Sequence, residues 1–385
     1  MSKLIGLFLC CMAIASGAWG QKIKIDHSDK NLTFTGTEAI QNDAEYDSTG
    51  QLVLNGYISS YYAFYNDSVG HNDFVQLPTV APYSNKFGLN IVQLGGVYTS
   101  DRFRGNFTFH WGDIPQSAWS AKYNFIQEAN AGVRIMPRLW FDMGLFRTHI
   151  GLESIQPREN IASSIATTTY FEPYFLSGAK LTYRVSKKLA LQANVFNSFN
   201  TFIETNRDKA IGLSAVITPN DRLSVTINTI TCDESPDDFT RNQRRWYNNA
   251  YLIYRSEKFD LGAEYNFGMQ QNTNLSDSTK MAYMNSALLA LKYRLGKRVA
   301  IYAREEFFSD PDEILTGPIE NSHHDLIGLD FVGETLGIEV KPIKNSYFRL
   351  EARTLRTKPN EDIFRIAHKA TNHREEFMLT MGVWF

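Results

Sequence analysis

Two short stretches gather the residue types that metal chemistry needs. His323-His324-Asp325 offers two imidazoles and a carboxylate, common ligands of a transition metal. Adjacent residues of a strand point to opposite faces, so the two histidines would not converge on one ion, and the end of an exposed loop suits them better. Asp310-Pro311-Asp312-Glu313 concentrates carboxylates that could hold calcium or bridge lipopolysaccharide. It lacks the glycine-containing pattern of a calcium loop, and solvated acid is its expected state. A hydrolase would need a serine and a histidine held together with an orienting polar group. Both residue types occur, but no spacing or local motif marks a nucleophile. No catalytic residue, cofactor or metal site is expected.

The other charged residues follow a stricter rule, alternating with apolar ones. In "RFRGNFTFHW", Phe103, Phe107, Phe109 and Trp111 fall on one face, and Arg102, Arg104, Asn106, Thr108 and His110 on the other. Such alternation means a strand with one apolar and one polar face. It recurs from Leu181 to Val195, from Phe259 to Phe267 and from Ala287 to Tyr293. Followed along the chain, the polar parity carries Arg102, Arg104, Arg134, Lys180, Arg184, Lys292, Arg294, Arg304, Arg349 and Arg353. The same faces carry Glu128, Asp142, Asp260, Glu264, Glu306, Glu339 and Glu351. Facing lipid would cost about 2 to 4 kcal/mol for each Arg or Lys near the midplane, so a wet interior is their expected home. Pores select by rings of charge and by width, and the basic excess leans weakly towards anions. The competing reading is that these residues pair into salt bridges that knit a solvated wall.

The elements that would hold such faces are legible in the connections. Seven are tight and polar, around Ser100-Asp101, Met136-Pro137-Arg138, Ser186-Lys187-Lys188, Pro219-Asn220-Asp221, Ser256-Glu257-Lys258, Gly296-Lys297 and Pro342 to Asn345. Eight longer loops alternate with them, near 66–86, 112–122, 150–173, 198–209, 232–245, 270–282, 309–323 and 357–372. Together they join about 16 strands, an even number with short turns at one end and long loops at the other. The predicted fold is all-β, a transmembrane antiparallel up-and-down β-barrel over residues 51–385 with short periplasmic turns and longer extracellular loops. Abundant Tyr and Phe, at 19 and 26 residues, agree with a β class. A propeller would repeat every 40 to 50 residues or so, and no such repeat is present.

The termini fit that setting. Residues 1–20 read as a secretory signal peptide, ending Ala18-Trp19-Gly20, and 21–50 as a polar periplasmic segment. After cleavage Cys232 alone remains of the 3 cysteines, so the sheet must hold the fold without an intramolecular disulfide. With 39 basic and 41 acidic side chains, nothing marks a nucleic-acid binder. The chain ends "EEFMLTMGVWF", an alternating strand with no polar tail. A barrel in hydrocarbon has no free edge, so this last strand must pair with the first. The loop 150–173 is the candidate to fold inward and narrow the lumen, with Arg147, Glu153, Arg158 and Glu159 at the constriction. A plain surface loop is the alternative.

The stretch 143–182 carries Gly144-Leu145-Phe146 with Thr148, then Ile150-Gly151 with Glu153-Ser154. A polar loop with Asn160 and Ser163-Ser164 follows, and the return runs through Pro173-Tyr174 to Ser177-Gly178. It resembles the outer-membrane porins known as putative β-barrel porin-2 (OmpL-like), common in Bacteroidetes. "NVFNSFNTFIETN" and "ITPNDRLSVTINTI" look like that family's next hairpins, and the resemblance covers most of the chain after Gln51. It implies an outer-membrane porin for passive diffusion of small hydrophilic solutes, with no catalytic residues to carry over. The expected partners are outer-membrane lipid and lipopolysaccharide, and the barrel assembly machinery through the strand ending at Phe385. Sixteen-stranded porins commonly form homotrimers, which the resemblance makes a candidate here. The alternative function is a plugged barrel serving interaction or adhesion.

Overall fold

The structure, a computed structural model, describes residues 22–25, 50–68, 70–71, 74–75, 77, 80–199, 206–239, 241–359 and 361–385. The expected signal peptide and most of the polar segment after it lie outside these residues. Sixteen antiparallel strands close into one barrel. They are β1 (Gln51–Tyr65), β2 (Lys86–Thr99), β3 (Phe103–Trp111), β4 (Ile126–Met136), β5 (Leu139–Arg147), β6 (Phe175–Arg184), β7 (Leu189–Phe196) and β8 (Ala210–Asn220). The circuit continues with β9 (Leu223–Asp233), β10 (Arg244–Arg255), β11 (Phe259–Gln270), β12 (Ala282–Arg294), β13 (Val299–Asp310), β14 (Leu329–Val340), β15 (Ser346–Thr357) and β16 (His373–Trp384). All seven tight turns and all eight longer connections fall where the alternation of the sequence puts them. Among the described residues no helix is long and apolar enough to cross a membrane, and the crossing is made by strands.

Closure is made by the last strand. β16 pairs with β1 from Tyr57↔Trp384 to Tyr65↔Glu376. Phe385 exchanges backbone hydrogen bonds with Gly56, each 3.1 Å long. A Cβ on Gly56 would stand 2.5 Å from the Phe385 ring, so a larger residue there must displace the ring. β1 begins six residues before its pairing with β16, which leaves a bare edge. A short strand, Lys22–Ile25, covers it in parallel, Lys22 opposite Gln51, where the sequence suggested irregular chain.

The outer face is apolar, as alternation demands. Leu213, Ile227, Leu289, Leu336, Leu350 and Met381 are each more than half exposed and point outward between buried, inward neighbours. Exposed aromatic rings gather near both rims, among them Phe87, Trp111 and Tyr283 towards the loops and Phe103, Tyr293 and Phe385 towards the turns. That is the lipid-facing band and girdle pattern of an outer-membrane barrel. A bulge in β4 alters one register. The pairing of β3 with β4 shifts between Thr108 and Phe109, and Gln127 and Glu128 both find inward partners.

Candidate functional site

The loop between β5 and β6 leaves the rim and enters the barrel. From Ile150 to Thr169 its residues are almost all buried, and they include a short 3-10 turn, Pro157–Glu159, and the start of α1 (Thr167–Phe171). Its apolar side chains Leu152, Ile161, Ala162 and Ala166 pack on Tyr251, Leu288, Ala290 and Tyr302 of β10, β12 and β13. Its backbone is bound by the opposite wall. Glu264 accepts from Leu152 N at 2.9 Å, and Glu306 from Thr167 N at 2.7 Å. Glu351 takes both Ser163 N at 2.7 Å and Ser164 N at 3.0 Å. The surface-loop alternative is therefore corrected: a segment this short of its own secondary structure leaves many amides bare, and the inward carboxylates satisfy them.

Arginines secure the carbonyls in the same way. The Arg349 guanidinium donates to Pro157 O (2.8 Å), Ala162 O (3.0 Å) and Asn160 O (3.1 Å), and through Nε to Glu339 (2.7 Å). Arg304 donates to Ser164 O at 2.6 Å and pairs with Glu153 of the loop at 3.1 Å. Arg353 bonds the Thr167 hydroxyl (3.1 Å) and pairs with Glu306 (2.6 Å). Inside the loop, Arg147 pairs with Glu159 and donates to Ser154 Oγ, while Arg158 lies over the Tyr57 ring at 4.7 Å. Burial, the largest single effect, would raise the Glu159 carboxyl, but the Arg147 charge, the hydrogen bonds from Arg147 and Ser154 and the Arg158 charge together outweigh it, and the net shift is downward. Burial dominates at Glu153 and pushes its carboxyl up despite Arg304.

The remaining charged positions lie farther from the loop. Arg104 pairs with Asp142 and lies 4.5 Å over the Trp140 ring, with Lys180 over Phe146 at 3.9 Å. Glu128 accepts from Asn106 at 2.8 Å and from Arg147 N at 3.1 Å. Asp260 pairs with Arg294, and Lys292 with Glu339 at 3.0 Å. Arg134 and Arg184 are half-buried at the turn end. Arg102 sits in a tight turn with its side chain 78% exposed, 3.9 Å from Asp101. The picture of a solvated wall is corrected for Glu264, Arg304, Glu306, Arg349, Glu351 and Arg353, whose buried charges tie the wall to the loop. Asp310 is corrected too: it is fully buried and accepts Ile314 N (2.8 Å), Leu315 N (2.8 Å) and Thr316 N (3.0 Å), so it orders a loop. His324 contacts Glu320 beside it.

The loop divides the interior into unlike halves. Towards the turns it roofs a cavity of about 710 Å3 whose lining carries nine basic and four acidic residues. Towards the loops, one apolar cluster joins Phe146, Phe196, Tyr247, Phe308, Phe331 and Leu355 from strands around the wall to Leu77, Ile314 and Phe364 from the loops. Parity reasoning missed both. The lip cations Lys297, Arg298, Lys341 and Lys344 belong to turns, outside the alternation. The inward apolar rim breaks the rule that apolar means lipid-facing; the consecutive pair Phe307-Phe308 is its trace, one ring out and one in.

A closed barrel with an apolar band outside and a charged loop across its interior defines an outer-membrane β-barrel of the porin class. Residues 51–385 match the family described as putative beta-barrel porin-2, OmpL-like, and the chain belongs to that family of outer-membrane channels. Solved structures share the fold. DcaP, an outer-membrane channel of Acinetobacter baumannii, is 10% identical with a TM-score of 0.57, covering 87% of this chain and 97% of its own. The anion-selective porin of Comamonas acidovorans is 10% identical with a TM-score of 0.56, covering 87% and 100%. OmpT of Vibrio cholerae in its trimer form is 12% identical with a TM-score of 0.56, covering 87% and 99%. No curated protein matches by sequence.

Proposed function

We propose that the chain is a diffusion channel for small hydrophilic solutes that favours anions. The inward charges line the path, with Arg147, Glu153, Arg158 and Glu159 at the constriction. The observation that carries the preference is the cavity under the loop, where nine basic residues face four acidic ones. Fixed charge of one sign in a confined, low-dielectric passage raises the local concentration of counter-ions. The anion-selective porin among the structural neighbours is consistent with this sign. Reversal potential across a bilayer under a KCl gradient tests it, and a chloride-directed potential is expected. A potassium-directed potential would sink the anion preference.

A second reading is favoured by the apolar cluster towards the loops, because a hydrophobic constriction can close a pore by dewetting. On that reading the barrel is plugged and serves interaction or adhesion. We further assign residues 1–20 to a signal peptide, the terminal strand to recognition by the assembly machinery, and the quaternary state to a homotrimer like the OmpT form. Mass measured by light scattering in detergent checks the last assignment.

A further inference from the structure

We propose that the cavity under the loop is a binding site for small organic polyanions, compact apolar skeletons that carry two or more carboxylate or phosphate groups. At about 710 Å3 the cavity has the size of a small-molecule site, which commonly spans about 300 to 1,000 Å3. Its inner cations are already matched: Glu339 holds Lys292 and Arg349, and Asp260 holds Arg294. The lip differs. Lys297 and Arg298 on one turn, Lys341 and Lys344 on the next, line the same cavity and form no ion pair among the described residues, and Lys341 lies 5.9 Å over the Trp384 ring.

Between lip and roof the wall is mixed, with Ile253, Gly262, Ala290 and Ala300 beside the paired Lys292, Arg294, Asp260 and Glu339. Exposed cations alone would attract any counter-ion weakly and lose it in salt. Enclosure beneath the loop, with a cationic lip and small apolar surfaces between paired wall charges, suits a compact ligand that carries several negative charges on a small apolar skeleton. A monovalent inorganic anion would engage one lip cation and leave the others unmatched. The solute's passage through this site rests on the channel reading; binding itself does not need conduction.

The test is calorimetric titration of the refolded protein in detergent with 1,3,5-benzenetricarboxylate, with benzoate as the monovalent comparison. The tricarboxylate is expected to bind at least tenfold more tightly than benzoate. The double variant R298E/K341E is expected to weaken it at least tenfold. The double variant K187E/K188E, an equal charge reversal on the β6–β7 turn outside the cavity, is expected to leave affinity within twofold. Tricarboxylate binding no tighter than benzoate, or equal weakening by both double variants, would overturn the site. Retained heat-modifiable migration on gels verifies folding of each variant. A barrel that conducts without binding refutes the site alone, and one that binds without conducting refutes the channel reading alone.

Discussion

Arg349 ties the loop to β15 and β14 at once, through three carbonyls and Glu339. Hydrogen bonds to a charged group contribute about 1.5 to 3 kcal/mol each, so Arg349→Ala should undock this part of the loop while the strand ladder stands. Single-channel conductance should rise, with heat-modifiable migration unchanged; unaltered conductance would show that the loop is held without it. Glu172, in the returning arm of the loop, behaves differently. Burial, reinforced by the like charge of Glu264, pushes its carboxyl well above the usual value. Tyr247 donates to one oxygen at 2.7 Å, and the other is buried without a partner, as in a neutral acid. Since the folded value is the higher one, the stability from this proton is complete below the unfolded value of about 4.5 and is lost as pH rises through the folded one. Glu172→Gln should therefore melt at a higher temperature than the native protein above that point, by a margin that grows with pH. Parallel melting curves from acid to alkaline pH would contradict the shift.

At the scale of elements, the strands were legible because their determinants are local: a period of two, punctuated by turn residues such as Ser186-Lys187-Lys188. The fate of the loop 150–173 was not, because its partners Glu264, Arg304, Glu306, Arg349 and Glu351 lie on strands far along the chain. Of the candidate site, the sequence yielded the inward arginines and carboxylates, since parity exposes them. It did not yield the lip cations or the inward apolar rim, since turns have no parity and Phe308 or Leu355 look the same facing either way. The seam illustrates a determinant visible only in three dimensions. Gly56→Val would drive a side chain into the Phe385 ring where β1 meets β16. Folded yield should fall severalfold by gel shift, while Ile58→Val, outward on the same strand, should refold normally. Equal yields would show that the ring can move aside.

The whole molecule combines an apolar outer band, a lumen crossed by the loop 150–173, an apolar rim above it and a cationic vestibule below. The vestibule and the rim pull the functional reading in opposite directions, one towards conduction and the other towards closure. The most direct measurement is single-channel current in a planar bilayer, comparing the native protein with a variant whose residues 154–165 are replaced by a short Gly-Ser link. The channel reading predicts steady small steps for the native barrel and steps several times larger for the shortened one, because removing the loop opens the narrowest section. Silence from both, with heat-modifiable migration intact, would contradict it and leave a plugged barrel.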